Sequence, residues 1–382
     1  MHKEKRDLLD ILRHEILGDT GSLPEVTPEL YQLAEKHGFS HLLAGTVKKS
    51  GASLSGELRE KLQKQQLAAV WRHEQMQYEQ ERILNALETA GIDHMLLKGD
   101  VVRQYYPQPW MRRSCDIDVL VRREELEKAV QTLTEKLNYQ DQGKHYHDVS
   151  MRSPGGVHLE LHFSLNVHSE AADRALADVW HHVKPAENCT CRYEMEPTFF
   201  LFYFIAHMAG HFLRGGCGVR TVLDLYLLEK NLTHDGEKLS ALLAESGLRQ
   251  FHAGLTKVAR VWFEEEQEDG ATDAVGEYIL NGGSYGTLDN RIAVTKQQAG
   301  GSEAGYWYRR LFMSRELLTG VYPQLEHRPA LYPYYQVKRW LRFLNGNTRK
   351  RIVGEFGRSR GMSGEQLHTA KDILTHLGLR PQ

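Results

Sequence analysis

The sequence predicts an α+β protein in which a small sheet lies between two helical regions. Strand-like apolar runs occur at 92–97, 116–121 and 157–163. On either side of this segment, apolar side chains recur every three or four residues, which is typical of amphipathic helices. We therefore expect an N-terminal helical region over 1–91, a core that holds the sheet over 92–195, and a C-terminal helical region over 196–382.

Composition and charge restrict the class of protein. The 382 residues include 48 Lys and Arg against 50 Asp and Glu, a formal net charge of −2. A balanced charge argues against extended nucleic-acid binding, which needs a basic surface. The charged N-terminus lacks a signal-peptide core, and no apolar run is long enough to span a membrane. We expect a soluble cytoplasmic protein, with no membrane partner and with its four cysteines reduced.

The N-terminal region is predicted to be entirely helical. Pro28 fits the first turn of a helix over 28–37, which Gly38 ends. Residues 55–90 form one long helical pattern with apolar side chains seven residues apart at Leu62, Ala69, Met76 and Ile83. The stripe is short and contains Ala, so packing within the protein is favoured over an intermolecular coiled coil.

The core and C-terminal region alternate in character. A helix is predicted over 123–137, a hairpin turn over 153–156, and a strand over 157–163. Pro197 opens a helix over 197–213 that is apolar nearly all round and therefore buried, and another helix follows over 219–230. The acidic, Gly-rich segment 266–302 predicts a loop, and helical patterns return over 303–382.

Asp116 and Asp118 are the sharpest chemical signal. Side chains alternate along a strand, so the two carboxylates share one face while Ile117 and Val119 face the core. Adjacent carboxylates repel and need a cation between or beside them, and hard oxygen ligands suit Mg²⁺. Glu160 lies on the strand 157–163 among apolar neighbours and is a third candidate ligand. Three carboxylates on neighbouring strands suit metal-assisted phosphoryl chemistry.

Basic residues before the aspartates could bind phosphate. Lys98-Gly99 follows a strand and precedes a helical stretch, where Gly lets backbone N–H groups approach an anion. Arg112, Arg113 and Ser114 directly precede the aspartates, and these arginines could neutralise a triphosphate. An ordinary strand-to-helix turn and solvated arginines are the alternatives.

Two further pairs have residues four positions apart on helices. His207 and His211 could form a zinc pair, but no third ligand is evident, so polar residues lining the site are favoured. Arg220 and Asp224 predict a simple ion pair. Alternatively, Arg220 reaches a phosphate, held by Asp224, if 196–230 forms the far wall of a cleft.

The order of these motifs resembles an uncharacterised bacterial nucleotidyltransferase family of the DNA polymerase beta-like nucleotidyltransferase superfamily. The motifs are L-K-G, Y-Y-P, M-R and D-I-D-V-L-V, then E-L-H on a strand, and H…H and R-x-x-x-D-L on helices, over about 92–230. The resemblance implies a small mixed sheet flanked by helices, with 92–195 as the catalytic core. It also implies nucleotidyl transfer from a nucleoside triphosphate, with Mg²⁺ or Mn²⁺ as cofactor.

The resemblance assigns roles to individual residues. Asp116 and Asp118 become metal ligands, and Glu160 becomes the third carboxylate, as metal ligand or as base. Lys98 and Gly99 take the place of the superfamily's Gly-Ser phosphate-binding turn. The missing Ser is one departure from that pattern, and Glu in place of the more usual Asp is a second.

We therefore expect a Mg²⁺-dependent nucleotidyltransferase that acts on a hydroxyl or phosphate of a small molecule, a peptide or a protein. Relatives of the family among tailoring enzymes of ribosomal peptide products make a peptide acceptor conceivable. The expected nucleotide-binding residues are Lys98, Gly99, Arg113, Ser114 and Arg220. The alternative is a catalytically degenerate nucleotide-binding or protein-interaction module, which would not need an intact carboxylate set.

Overall fold

Helices form the N-terminal region, as predicted. A computed structural model describes residues 2–51, 55–167, 169–284, 286–322, 324–341 and 346–379. The first helices are α1 (Lys3–Leu17), α2 (Pro28–Lys36), α3 (Leu43–Ser50) and α4 (Gly56–Thr89). Pro28 stands in the first turn of α2, where the Thr27 side chain accepts from the Leu30 N–H, and Ser55 caps α4 in the same way.

A five-stranded mixed sheet forms the centre of the molecule. Its strands are β1 (His94–Leu96), β2 (Asp116–Val121), β3 (Gln140–Lys144), β4 (Asp148–Arg152) and β5 (His158–His162). They lie in the order β1-β2-β5-β4-β3, and only the central pair, β2 and β5, is parallel. The α+β class and the three predicted strands are confirmed, and the predicted turn over 153–156 joins β4 to β5.

Short helices and a second small sheet complete this segment. The helices are α5 (Lys98–Val102), α6 (Leu126–Leu137) and α7 (Glu170–Ala177), and the two paired strands are β6 (Val183–Pro185) and β7 (Tyr193–Met195). Asn138 ends α6 in the left-handed conformation, which Asn tolerates better than most residues.

The two faces of the main sheet differ. One face packs on α4 and α6 through a cluster that includes Ile83, Leu133, Ile117, Leu159 and Met151. The other face carries Asp116, Asp118 and Glu160 and opens toward the cleft that helices α8 (Pro197–Phe212) and α9 (Val219–Asn231) line. Alternation along β2 and β5 thus sends apolar side chains to one face and carboxylates to the other.

The remaining helices pack beyond α9. They are α10 (Gly236–Glu245), α11 (Arg249–Phe263), α12 (Gly270–Gly282), α13 (Leu288–Gln298), α14 (Glu303–Leu311), α15 (Arg315–Val321), α16 (Gln324–His327), α17 (Tyr332–Leu341), α18 (Gly346–Gly361) and α19 (Gly364–His376). No helix in the described part of the chain is both long and apolar enough to cross a membrane.

The predicted loop over 266–302 is wrong, because α12 and α13 occupy most of it. Val275, Ile279 and Val294 are buried, and the glycines permit close packing. A Cβ atom on Gly276 would lie only 3.3 Å from Nε1 of Trp262. The glycines of this segment therefore mark close contacts between helices. Composition alone does not distinguish such glycines from those of a loop.

Domain limits at 91 and 195 stay predictions. One continuous hydrophobic cluster joins N-terminal residues such as Leu12 to Met95 and Leu120 of the sheet and to Phe202 of α8.

Candidate active site

The parallel pairing of β2 with β5 brings the predicted carboxylates together. The register sets Asp118 opposite Glu160 and Asp116 opposite His158, so all four side chains share one face. The turn between β4 and β5, in which the Ser153 hydroxyl accepts from the Val157 N–H at 3.0 Å, helps to fix the register of β5 against β4. Carboxylates from neighbouring strands thus meet on a rigid element, where a site can be held precisely.

Lys98 supplies the positive charge that these carboxylates require. Its Nζ donates to Asp118 Oδ1 at 2.7 Å and lies 3.7 Å from Glu160 Oε2. The Lys98 backbone has φ of 47°, a left-handed conformation that a residue with a side chain rarely adopts. Such strain is kept only where the surrounding structure over-determines it, which is common at functional sites.

The two aspartates differ electrostatically. Burial opposes ionisation of Asp118, but the Lys98 ammonium and the hydrogen bond from His162 hold its pKa well below the usual range. Asp116 forms no ion pair with any described residue, and burial, reinforced by the charges of Asp118 and Glu160, raises its pKa. One aspartate is therefore compensated without a ligand, and the other gains most from an added cation.

Two buried residues position Asp118. His162 is nearly inaccessible, and its Nε2 donates to Asp118 Oδ1 at 2.8 Å. Asp100 of α5 accepts the Asp118 N–H at 3.4 Å and pairs with Arg103 at 2.6 Å. Burial raises the pKa of Asp100 to about 7, against the opposing charge of Arg103.

The donor atoms suit a divalent cation. Ligand atoms of Asp118, Glu160 and His162 lie within 4.8 Å of one another, and so do those of Asp116, His158 and Glu160. Glu160 belongs to both groups, so it joins the two aspartates through separate clusters. The Lys98 ammonium already occupies a cation position between two of these carboxylates, and oxygen-rich sets of this kind suit Mg²⁺ or Mn²⁺.

Helices α8 and α9 form the opposite wall of the site. Arg112 forms a bidentate ion pair with Asp224, in which its Nε and Nη2 atoms lie 2.9 and 2.8 Å from the two carboxylate oxygens. Tyr106 donates its hydroxyl proton to the same carboxylate at 2.8 Å. The predicted pairing of Arg220 with Asp224 is therefore wrong. Arg220 Nη1 instead donates to the Arg113 carbonyl at 2.9 Å.

Gly99 has a packing role that the sequence did not indicate. A Cβ atom at this position would lie 2.3 Å from Nη1 of Arg112 and 3.1 Å from Oγ of Ser114. Only glycine lets the Arg112 guanidinium lie against the start of α5. The short L-K-G motif and the distant Asp224 are thus joined through Arg112.

A cleft of about 340 Å³ lies between the carboxylate face and the helical wall. This volume is within the range of small-molecule sites. The cleft is lined by most of the predicted site residues, namely Asp116, Asp118, Glu160, Lys98, Gly99, Ser114 and Arg220. Arg113 is exposed and is not among the lining residues.

Comparison with protein families agrees with this geometry. The sequence model of a family described as "uncharacterised nucleotidyltransferase" matches residues 25–264, which is more than half of the chain. The chain belongs to this family. Comparison with curated proteins gave no significant match. Comparison with solved structures gave none either.

The family match extends well beyond the central sheet. It includes α2 to α4 before the sheet and continues through α11. Both walls of the cleft, from Lys98 to Asp224, therefore lie inside the matched segment.

His207 and His211 line the cleft. Their Nε2 atoms are 3.0 Å apart, so one ring donates to the other. Burial holds the pKa of His207 well below its usual value. In the described part of the chain, no Cys, Asp, Glu or third His joins them in a metal-binding group. The geometry favours polar lining residues over a zinc pair.

Several residues of the cleft were missed from sequence. Asp148 begins β4 and is buried beside His145, whose Nδ1 lies 3.2 Å from its carboxylate. Arg214 follows α8, lines the cleft, and forms no ion pair with any described residue. No local motif marks either residue, although Arg214 stands just before the Gly215-Gly216 break that was recognised as the end of the helix.

Proposed function

We propose that this protein is a metal-dependent nucleotidyltransferase that moves a nucleotidyl group from a nucleoside triphosphate to a hydroxyl or phosphate acceptor. The observation that carries the proposal is the pairing of Asp118 with Glu160 across adjacent parallel strands, with Asp116 on the same face. Membership of a nucleotidyltransferase family supports it.

Asp116, Asp118 and Glu160 would hold Mg²⁺ or Mn²⁺, and His158 offers a nitrogen ligand beside Asp116 and Glu160. The bound ion would supply charge neutralisation at the triphosphate and a template for the attacking and leaving oxygens. His162 and Asp100 keep Asp118 in place while this happens, through the hydrogen bonds to its carboxylate and to its backbone N–H.

Cations on both walls would bind the triphosphate. Lys98 stands among the carboxylates, and Arg214 and Arg220 line the opposite side of the cleft. Arg214 is suited to a phosphate, because it lines the cleft, donates its Nε–H to the Gly210 carbonyl at 3.1 Å and forms no ion pair with a described residue. Charge-assisted hydrogen bonds to phosphate are roughly twice as strong as neutral ones. We assign this role to Arg214 in preference to Arg113.

In the transfer, one P–O bond forms and one breaks. An acceptor oxygen attacks the α-phosphorus and forms a new P–O bond, while the bond from the α-phosphorus to the bridging oxygen breaks and pyrophosphate leaves. A hydroxyl acceptor loses its proton to the Glu160 carboxylate, which faces the cleft. Positioning and electrostatics account for most of the rate in phosphoryl transfer.

Calorimetry tests the metal-bridged model directly. ATP, GTP, CTP and UTP are titrated into the protein with Mg²⁺, with Mn²⁺ and with EDTA, in parallel with the Asp118→Asn variant. We expect at least one triphosphate to bind only with a divalent cation and only to the wild-type protein. Equal affinity with EDTA would contradict the model and favour a degenerate nucleotide-binding module.

A further inference from the structure

A second cavity adjoins the cleft. It has a volume of about 830 Å³ and lies between the segment after β5, helix α7 and helix α15. Asn166 lines both this cavity and the cleft. Tyr146 lines the second cavity, and its neighbour His147 lines the cleft. The second cavity and the cleft therefore lie next to each other, on either side of Asn166.

The second cavity has an excess of uncompensated positive charge. Arg123, Lys144 and Arg315 line it, and none of the three forms an ion pair with a described residue. Its two carboxylates are Asp173 and Glu326. The Asp173 carboxylate already accepts from the Val167 N–H at 2.7 Å and from Asn166 at 3.0 Å.

Two of these cations converge on one aromatic ring. Arg123 and Lys144 each lie 4.8 Å from the centroid of the Phe163 ring. The ring attracts each cation, but the cations repel each other. Both positive charges therefore lie beside one buried ring, and an anion bound in the cavity would be attracted by both.

The volume of the second cavity and its lining residues indicate what the ligand contains besides its anionic group. A bare phosphate is far smaller than 830 Å³, and sites of this size take organic molecules. Phe163 and Leu165 offer apolar surface, while Tyr146, Ser164 and Thr319 offer hydroxyl groups. The cavity thus fits a molecule with an anionic group, a carbon skeleton and hydroxyls.

We propose that the second cavity binds the acceptor, and that the acceptor is an organic anion bearing a hydroxyl. Its phosphate or carboxylate is held by Arg123, Lys144 and Arg315, and its hydroxyl passes Asn166 into the cleft. The inference rests on the proposed function. The hydroxyl oxygen then attacks the α-phosphorus, pyrophosphate leaves, and the hydroxyl proton goes to Glu160.

A matched set of probes tests the charge requirement. Glycerol 3-phosphate, glycerate and glycerol carry a phosphate, a carboxylate and no charge, respectively. Each is titrated into the full chain saturated with Mg²⁺ and α,β-methylene-ATP, which occupies the cleft and cannot lose pyrophosphate. We expect one or both anions to bind and glycerol not to bind, and the stronger anion identifies the preferred charged group.

The Arg123→Ala, Lys144→Ala double variant tests the site. Both side chains are exposed, so the fold should be retained, and the melting temperature checks this. Anion binding should weaken at least about tenfold, as expected for lost charge-assisted contacts. Arg174→Ala is the matched control, because Arg174 is an exposed α7 arginine paired with Glu170 and is not among the residues that line the cavity. An equal loss in the control, or no anion binding to wild type, would overturn the inference.

The two proposals fail in distinguishable ways. Absence of metal-dependent ATP binding to wild type would remove the nucleotidyltransferase mechanism. Normal ATP binding without anion binding would overturn the acceptor site alone. A screen of hydroxyl compounds with α-labelled ATP gives a second readout. We expect anionic compounds to accept label and the double variant to lose kcat/KM for them, whereas equal transfer to neutral analogues would contradict the assignment.

Discussion

The two walls of the cleft differ in how far their buried charges are compensated by opposite charges. On the sheet, three carboxylates face the cleft, and Lys98 pairs with two of them, at 2.7 Å from Asp118 and 3.7 Å from Glu160. On the helical wall, Arg112 and Asp224 meet through two hydrogen bonds, and Tyr106 donates a third. The sheet side is left short of positive charge, and the wall pair is complete.

This difference separates ligand-binding residues from structural ones. An incompletely compensated carboxylate set gains free energy when a cation binds, whereas a complete buried pair gains nothing from a ligand and costs much to break. Asp116, Asp118 and Glu160 are therefore assigned to the chemistry. Arg112 and Asp224 are assigned to holding α9 against the turn that precedes β2.

The largest expected effect comes from the aspartates. Asp116→Asn and Asp118→Asn should each reduce nucleotidyl transfer by roughly a thousandfold or more, because loss of metal-assisted charge stabilisation costs several kcal/mol. Their stabilities should differ. Asp118→Asn leaves Lys98 without its partner and should cost about 1.5–3 kcal/mol.

Asp116→Asn should be neutral or stabilising, because burial and its neighbours disfavour the charge of Asp116. Transfer of label from α-labelled ATP and urea unfolding measure the two effects in both variants. A more stable Asp118→Asn than Asp116→Asn would show that the Lys98 pairing does not hold in solution.

The wall pair provides the next largest effect. Asp224→Ala should destabilise the protein by about 3–5 kcal/mol, because it leaves the buried Arg112 guanidinium without a counter-charge. Arg220→Ala is the matched comparison on the same helix and should cost less, since Arg220 donates to the Arg113 carbonyl and its removal leaves no buried guanidinium without its counter-charge. Urea unfolding of both variants measures this. Equal losses would mean that Arg220 also supports the fold.

The sequence predicted the sheet side better than the helical wall for a physical reason. Asp116 and Asp118 are two residues apart on one strand, and alternation along β5 places Glu160 on a single face, so local periodicity defines them. The family resemblance added the prediction that Glu160 lies on a strand next to the one that carries the two aspartates. The α+β class and the buried helix α8 followed from equally local patterns.

Contacts between distant residues could not be predicted in this way. Arg112 and Asp224 are separated by 112 positions, while Arg220 offered Asp224 an obvious partner four residues away. The four-residue spacing indicated the wrong partner because the Arg112 guanidinium lies against Gly99, which has no side chain, and so reaches Asp224. The prediction of a loop over 266–302 was wrong for a related reason, since the glycines of this segment allow close packing of helices, which only the tertiary structure reveals.

Acid should weaken the helical wall through His41. Its Nε2–H donates to the Met111 carbonyl at 2.9 Å, next to Arg112, and its buried Nδ1 has no partner among the described residues. Burial lowers the pKa of His41 from 6.5 to about 4. The unfolded chain therefore binds a proton more readily than the folded protein between these values.

The contribution of His41 to stability is complete above pH 6.5 and is lost as the pH falls toward 4, by about 3 kcal/mol. Urea midpoints measured from neutral to acidic pH test this. The His41→Gln variant keeps an amide donor but cannot titrate, so its midpoint should fall less steeply. Parallel curves for the two proteins would assign the acid sensitivity to other groups.

Arg214 gives the smallest effect and the sharpest test of the division between the walls. It lies on the helical side of the cleft yet has no ion pair within the described residues, so it belongs with the ligand-binding residues. Arg214→Ala should weaken metal-dependent ATP binding by about 1.5–3 kcal/mol, roughly ten- to a hundredfold, with little change in the urea midpoint.

AMP binding should change less than ATP binding if Arg214 contacts the β- or γ-phosphate, and Arg214→Lys should recover part of the affinity because it retains the charge but not the planar fork. Arg174→Ala, which removes an exposed arginine that is not among the cleft-lining residues, is the control for general loss of charge. Loss of stability with normal ATP affinity would place Arg214 beside Arg112 among the structural residues. The helical wall would then bound the nucleotide site without binding the triphosphate through this residue.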